Sequence, residues 1–257
     1  MNIFKKIYNY RELLKTNVKK EIRGRYKNSI LGIMWSFLNP LLQLLVYSVI
    51  FGALLAGGDE TYPIYICIAL IPWTYFTTAI TQAAFTVIGN ADIIKKVYFP
   101  REILPISVVT SGAVNFVIST IIILAFVIFS GVGLSWYILL YPFILLIQYV
   151  LLLGIGFIVS SVTVYFRDLE HIIGVILMAA FYGTPIVYKL EQLPHTLQII
   201  VQLNPMTHLI NAYRDIFYYH QMPNMQILFI LLGASVVLTV IGYFIFKKLQ
   251  KGFAEEL

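Results

Sequence analysis

The sequence contains one cysteine, Cys67, so no intrachain disulfide can form and no thiolate cluster is available for a structural zinc site. A small apolar filler role inside a helix is expected for it. Charge is almost as scarce. Charged residues make up 12% of the 257 positions and hydrophobic ones 60%, whereas soluble domains average about 25% charged and roughly 45–50% apolar. A water-soluble fold cannot hide that much apolar surface. There is no G-x-x-x-x-G-K-[ST] phosphate loop, which excludes nucleotide binding of the P-loop kind by this chain. H-E-x-x-H, G-x-S-x-G and any close pair of carboxylates within an apolar run are missing as well. His171, His195, His208 and His220 fall at or outside the expected helix ends, where a solvated or hydrogen-bonded role fits better than catalysis. No internal repeat is visible, and the apolar runs carry essentially no ionisable groups, which disfavours a proton- or sodium-coupled carrier. Work delivered from outside the membrane is the alternative.

What the sequence does have is length of apolar run. About 20 helical residues cross roughly 30 Å of hydrocarbon, and runs over 30–56, 63–89, 104–130, 135–165, 171–187 and 226–246 meet or approach that requirement. The fifth is slightly short. Pro40 is expected to break or kink the first run early. The stretch 187–225 is apolar but interrupted by Pro194, Pro205 and Pro223, a pattern that predicts two short re-entrant or interfacial helices in place of a seventh span. The fold class is therefore an all-α membrane protein with six transmembrane helices.

Orientation follows from lysine and arginine. Nine precede residue 28, Lys95, Lys96 and Arg101 share one loop, Arg167 lies in another, and Lys247, Lys248 and Lys251 close the chain; of the 18 Lys and Arg only Lys189 and Arg214 fall on the other side. Six spans with both termini cytoplasmic satisfy this count. The basic excess, a net charge of +6, lies mostly before the first apolar run, so it suits anionic lipid better than nucleic acid. Ile3, Ile7, Leu14, Val18 and Ile22 form an apolar stripe with Lys5, Lys6, Lys15, Lys19 and Lys20 off it, the pattern of an amphipathic helix lying in the membrane interface. No small-residue cleavage pattern follows, so this segment is expected to be retained.

The loop from Asn90 to Glu102 mixes exposed charge with Ile, Val, Tyr and Phe. Such a segment suits docking into a groove on a soluble partner, and equally an amphipathic turn on the headgroups. Arg167-Asp168 could cap helix ends or pair with a neighbouring loop.

Several motifs then resemble one family. Arg25-Tyr26-Lys27-Asn28-Ser29-Ile30-Leu31-Gly32-Ile33-Met34-Trp35-Ser36-Phe37-Leu38-Asn39-Pro40, the Lys-Lys-Val-Tyr-Phe-Pro-Arg-Glu loop, Tyr165-Phe166-Arg167-Asp168-Leu169, Thr184-Pro185-Ile186-Val187-Tyr188, and Asn204-Pro205-Met206 before Arg214-Asp215 occur in order over nearly the whole chain. The chain thus resembles the permeases of ABC exporters for O-antigen, teichoic acid and capsular polysaccharide. The resemblance implies one transmembrane domain over 1–257, in which 1–28 is a cytoplasmic interface helix, 29–187 the first five spans, 188–225 an external re-entrant hairpin and 226–257 the last span with a cytoplasmic tail. It also implies a bacterial plasma (inner) membrane location, a second copy of the chain, two ABC ATPase subunits that hold the ATP and Mg, and no cofactor on this chain. The implied cargo is a glycan on an undecaprenyl pyrophosphate-type lipid.

By the same resemblance, Ser29, Leu31, Gly32 and Trp35 belong to a gating helix, and Asp92, Lys95, Lys96, Tyr98, Phe99, Pro100, Arg101 and Glu102 to a coupling helix that receives the ATPase stroke. Arg23, Arg25 and Lys27 are candidates to meet the lipid pyrophosphate, since arginine makes bidentate bonds to phosphate oxygens, although positive-inside bias alone also accounts for them. Tyr47, Trp73, Tyr75, Phe76, Phe85, Tyr149, Phe181 and Tyr182 are candidate channel aromatics that would stack on sugar rings; aromatics also mark membrane interfaces. Other readings are an ABC exporter of drugs or small lipids, a membrane-embedded glycosyl- or acyltransferase, for which convergent Asp, Glu or His are too few, and a scaffold subunit without a pore.

Overall fold

The computed structural model describes residues 9–25, 29–55 and 60–257, and every regular element among them is helical. The amphipathic N-terminal segment forms α1 (Arg11–Arg25). A short 3-10 turn, Gly32–Met34, opens with Gly32 at a φ of +50°, the left-handed backbone that glycine adopts without strain, and leads into α2 (Trp35–Leu55). After it come α3 (Tyr62–Thr86), the short α4 (Ala91–Lys96), α5 (Ile103–Phe129), α6 (Tyr141–Tyr165), α7 (Leu169–Tyr182), α8 (His195–Gln202), α9 (Pro205–Phe217), α10 (Met225–Leu249) and a final turn, α11 (Phe253–Glu256).

Among the described residues, 5 helices are long and apolar enough to cross a membrane: α2, α3, α5, α6 and α10. The run expected as a span over 171–187 is shorter. Its helix, α7, has 14 residues, roughly 21 Å against about 30 Å of hydrocarbon. Gly183 ends it, and Pro185 biases Thr184 away from helical backbone, so the chain turns there. The proline-rich stretch holds two short helices, α8 and α9.

Pro40 does not break α2, which runs through it from Trp35 to Leu55. The proline ring removes the N–H that the Ser36 carbonyl would have received, and that carbonyl accepts from Ser119 Oγ on α5 at 3.4 Å instead.

α3 is the axis of the bundle, packed by α2, α5, α6, α7 and α9. Cys67 lies buried on it, as its sequence setting leads one to expect. Where α3, α6 and α9 meet, Tyr213 donates to Gln148 Oε1 at 3.0 Å and Gln148 Nε2 donates to the Pro72 carbonyl at 2.9 Å, so a buried polar chain is closed on backbone. α6 and α10 are in backbone contact: a Cβ on Gly242 would stand 2.5 Å from the Gly154 carbonyl oxygen, and one on Gly154 would stand 2.8 Å from Thr239 N. Small residues permit that approach, and Thr239 Oγ1 adds an interhelical bond to the Val150 carbonyl at 2.8 Å.

A second, smaller apolar core lies at the end of the bundle that carries the basic termini. It joins Ile94 and Phe99 of the Asn90–Glu102 loop to Phe157 and Val164 of α6, Phe246 of α10 and Phe253 of α11, with Tyr10, Leu13 and Leu14 of the N-terminal segment packed against it.

Candidate functional site

Most of α3 is covered, and apart from Pro63 and Phe85 what is left uncovered is polar. Thr74, Thr77, Thr78, Thr81 and Gln82 lie along the part of its surface that other helices do not bury. Lipid-facing surface is ordinarily aliphatic, so a threonine and glutamine stripe on the most buried span points to water or a polymer and away from lipid. A cleft of about 240 Å³ opens along this stripe, lined on its polar side by Trp35, Ser36 and Asn39 of α2, Thr74, Thr78 and Gln82 of α3, and Asn115 and Ser119 of α5, with Pro40, Ile71, Tyr75, Gly112 and Phe116 completing the wall. Toward the basic termini a second cleft of about 320 Å³ shares Gln82 and adds Thr81, Phe85, Asn90 and Lys20. The two form one polar track, and its inner part is uncharged.

Three of the threonine hydroxyls are bonded within their own helix. Thr74, Thr77 and Thr81 donate to the carbonyls of Leu70, Trp73 and Thr77 at 2.8, 3.2 and 2.9 Å. They present methyl groups and acceptor lone pairs outward and keep their protons inward. Such a wall is wettable without being adhesive.

The candidate gate lies at the mouth of this track. Trp35 Nε1 donates to Ser29 Oγ at 2.9 Å, closing a loop over the 3-10 turn that begins at Gly32; Leu31 is exposed. Of the candidate pyrophosphate contacts, Arg23 is exposed near the end of α1, Arg25 is the last residue of that helix, and Lys27 lies outside the described residues.

The Asn90–Glu102 loop divides in two. Asp92, Lys95, Lys96 and Tyr98 face outward, Tyr98 at 87% exposure. Phe99, Pro100 and Glu102 face inward, and Arg101 is half-buried. Glu102 is ion-paired with Lys247 at the end of α10, while Arg101 donates to the Gln250 carbonyl and stands 5.9 Å from the centroid of the Phe253 ring. One half of the loop is presented and the other half is bolted to the C-terminal segment. Asp168 occupies the N-cap of α7, but its side chain makes no capping bond, and both it and Arg167 are exposed.

The candidate aromatics also fall into groups. Tyr47 and Trp73 both meet Phe181, at 5.4 and 6.0 Å, while Phe76 meets Trp73 at 5.3 Å and Tyr182 meets Phe181 at 5.4 Å, so these five form one cluster where α2, α3 and α7 converge. Tyr75 is stacked on Phe116 at 5.3 Å, with its hydroxyl donated to the Val109 carbonyl, and Tyr149 shares a 2.9 Å bond with Thr110 Oγ1. Tyr149 is partly buried, and Tyr75, although mostly covered, also lines the 240 Å³ cleft together with Phe116. Phe85 lies in the second cleft.

A residue to which the sequence assigned no role is held by many partners. Arg214 on α9 is 1% exposed. Its Nη2 donates to the Ile186 carbonyl at 2.7 Å and its Nη1 to Pro185, with Nε and Nη2 reaching the Tyr65 carbonyl at 3.4 and 3.3 Å. The guanidinium also lies 3.4 Å from the centroid of the Tyr65 ring. Burial lowers it to about 10, so it stays charged at neutral pH. The available signal was that Arg214 is one of two cations outside the positive-inside pattern.

With this geometry in place, similarity to known proteins decides the family. The model of the ABC-2 type transporter family matches residues 12–218. The chain belongs to that family. It is 34% identical over 259 residues to the O-antigen export system permease protein RfbA of Myxococcus xanthus, covering 100% of both chains. It is 35% identical over 248 residues to the protein of the same name from Klebsiella pneumoniae, covering 96% of this chain and 95% of that one. A more distant relative, the polysialic acid transport protein KpsM of Escherichia coli, is 22% identical over 212 residues, covering 76% of this chain and 77% of its own length. Family membership makes this chain the membrane part of a transporter, in agreement with the spans and with the lack of catalytic motifs.

Proposed function

We propose that this chain is the permease subunit of an ABC exporter that carries lipid-linked cell-surface polysaccharide, of O-antigen type, out of the cytoplasm. The observation that carries the reading is the uncharged polar stripe Thr74–Thr78–Gln82 on the uncovered face of α3. A glycan needs a wall that replaces part of its hydration without holding it, and hydroxyls already bonded to their own helix give that. A drug or small-lipid exporter would be expected to line its path with apolar groups. Relatives named for O-antigen export over their full length support the same reading.

In this reading the stripe forms a channel against a second copy of the chain, both termini are cytoplasmic, and two ATPase subunits hold the ATP and Mg. The outward half of the Asn90–Glu102 loop receives the stroke, and its inward half passes it to α10 and α6 through Glu102, Lys247 and Phe246. α7 completes a sixth crossing together with the Thr184–Tyr188 turn. The pair α8 and α9 forms the external re-entrant hairpin. The lipid pyrophosphate is received by the basic segment around Arg23, Arg25 and Lys27.

The test is the double substitution Thr78→Leu with Gln82→Leu, read in cells as surface polysaccharide against lipid-linked polymer retained inside. Surface polymer is expected to fall and internal polymer to rise while membrane levels of the protein hold. Normal export through an apolar stripe would refute the channel assignment.

A further inference from the structure

At the end of the bundle opposite the basic termini, α9 has two faces. Met206, Leu209, Ile210, Tyr213, Ile216 and Phe217 are buried in the core. His208, Asn211 and Asp215, spaced i, i+3 and i+7, form a polar stripe. That stripe lines a pocket of about 490 Å³, which also takes in Glu191, Tyr219 and Gln221. The volume is that of a small-molecule site, typically about 300–1,000 Å³.

We propose that this pocket is a saccharide-binding subsite that accepts neutral or amino sugars and rejects acidic ones. The proposal rests on the exporter reading above and adds to it a place and a selectivity. Sugars are recognised by carboxylates and amides that bridge neighbouring hydroxyls and by aromatic faces that cover their C–H surface, and the pocket offers both kinds. Gln221 Nε2 donates to Asp215 Oδ1 at 2.6 Å, which fixes the carboxylate and leaves its second oxygen for a ligand. His208 Nε2 is 2.7 Å from the Gln202 carbonyl, which orients that ring. Tyr219 is 47% exposed, its ring braced edge-on by Tyr218 with centroids 5.0 Å apart, so a face is available for stacking. The base of the pocket is stiff, because it rests on Arg214 and Tyr65.

Selectivity follows from charge. Two carboxylates, Glu191 and Asp215, face the pocket. Both nearby cations are engaged elsewhere, Arg214 by three carbonyls and the Tyr65 ring, and Lys189 5.8 Å from the centroid of that same ring. A uronic acid entering would meet two like charges and, among the described residues, no cation that is not already engaged. An ammonium or a neutral hydroxyl would meet acceptors.

The experiment is saturation-transfer difference NMR on the purified full chain in detergent, with galactose, glucosamine and glucuronic acid as probes, for the wild type, Asn211→Ala and Asp215→Asn. Galactose and glucosamine are expected to give signal, glucuronic acid little, and either substitution should weaken glucosamine by about tenfold, the worth of one charge-assisted hydrogen bond. Asp215→Asn should narrow the gap between glucosamine and glucuronic acid. Thermal unfolding of both variants at the wild-type temperature separates loss of binding from loss of fold. Equal signals from wild type and variants, or glucuronic acid as strong as glucosamine, would overturn the proposal. Deletion of the gene, read as surface polysaccharide, keeps the two ideas apart: polymer lost on deletion with sugar binding indifferent to the substitutions overturns the subsite alone, whereas polymer retained overturns the exporter reading.

Discussion

The two ends of the bundle hold their chain segments together by opposite means. At the basic end the buried carboxylate Glu102 has a cation, Lys247, and the pair is set in a small aromatic core with Phe99, Phe246 and Phe253. At the far end the buried cation Arg214 has no carboxylate partner among the described residues, and backbone carbonyls of Tyr65, Pro185 and Ile186 take its place, with the Tyr65 ring beneath. The first arrangement ties side chains to side chains and is replaceable by other well-packed groups. The second ties backbone to backbone through one side chain, and no other residue type has donors in that fork. The far end is therefore a rim held through backbone, and the basic end is a joint held through side chains.

The sharpest way to break this contrast is Arg214→Met. It leaves three carbonyl groups without their donor in a buried site, and a loss on the order of 3 kcal/mol or more is expected from thermal unfolding in detergent. Arg214→Lys should recover only part, because an ammonium cannot span the same carbonyls. A methionine variant as stable as the wild type would mean the rim does not depend on the guanidinium. Next comes Lys247→Met, which strands Glu102 and should cost about 3 kcal/mol, whereas adding Glu102→Gln in the same chain should restore most of it. A double variant no better than the single one would show that the pair is not replaceable and would erase the difference between the ends. The smallest effect on stability belongs to Tyr98→Ala on the outward half of the loop: the melting midpoint should correspond to a change within about 0.5 kcal/mol, while recovery of an ATPase subunit by affinity purification falls. Retention of the ATPase would move the docking surface away from that loop.

Much of the architecture was legible from hydropathy alone, because a helix that must satisfy its backbone in lipid announces itself by length. The long helices fall where the apolar runs do, and the three prolines of 187–225 divide that stretch into short helices as expected. Pro40 misled, since its cost is local and Ser119 from another helix meets the orphaned Ser36 carbonyl. Periodicity did not separate Tyr98 from Phe99, which point to opposite sides of an extended segment in which both look alike in sequence. Nor did it separate Tyr75, 4% exposed and stacked on Phe116, from Phe85, 41% exposed, because the partner that covers an aromatic comes from a distant part of the chain. Arg214 was visible as an exception to charge asymmetry and as part of the Arg214-Asp215 motif, but its role was not. Its partners are backbone atoms, which carry no letter in a sequence.

The threonines of α3 have a consequence for how the protein is made. Each of Thr74, Thr77 and Thr81 gives its proton to a carbonyl three or four residues earlier in the same helix. These three hydroxyls are therefore satisfied as soon as the helix forms, before any partner is met. Insertion of α3 into the bilayer is eased by the same bonds that shape its outer face.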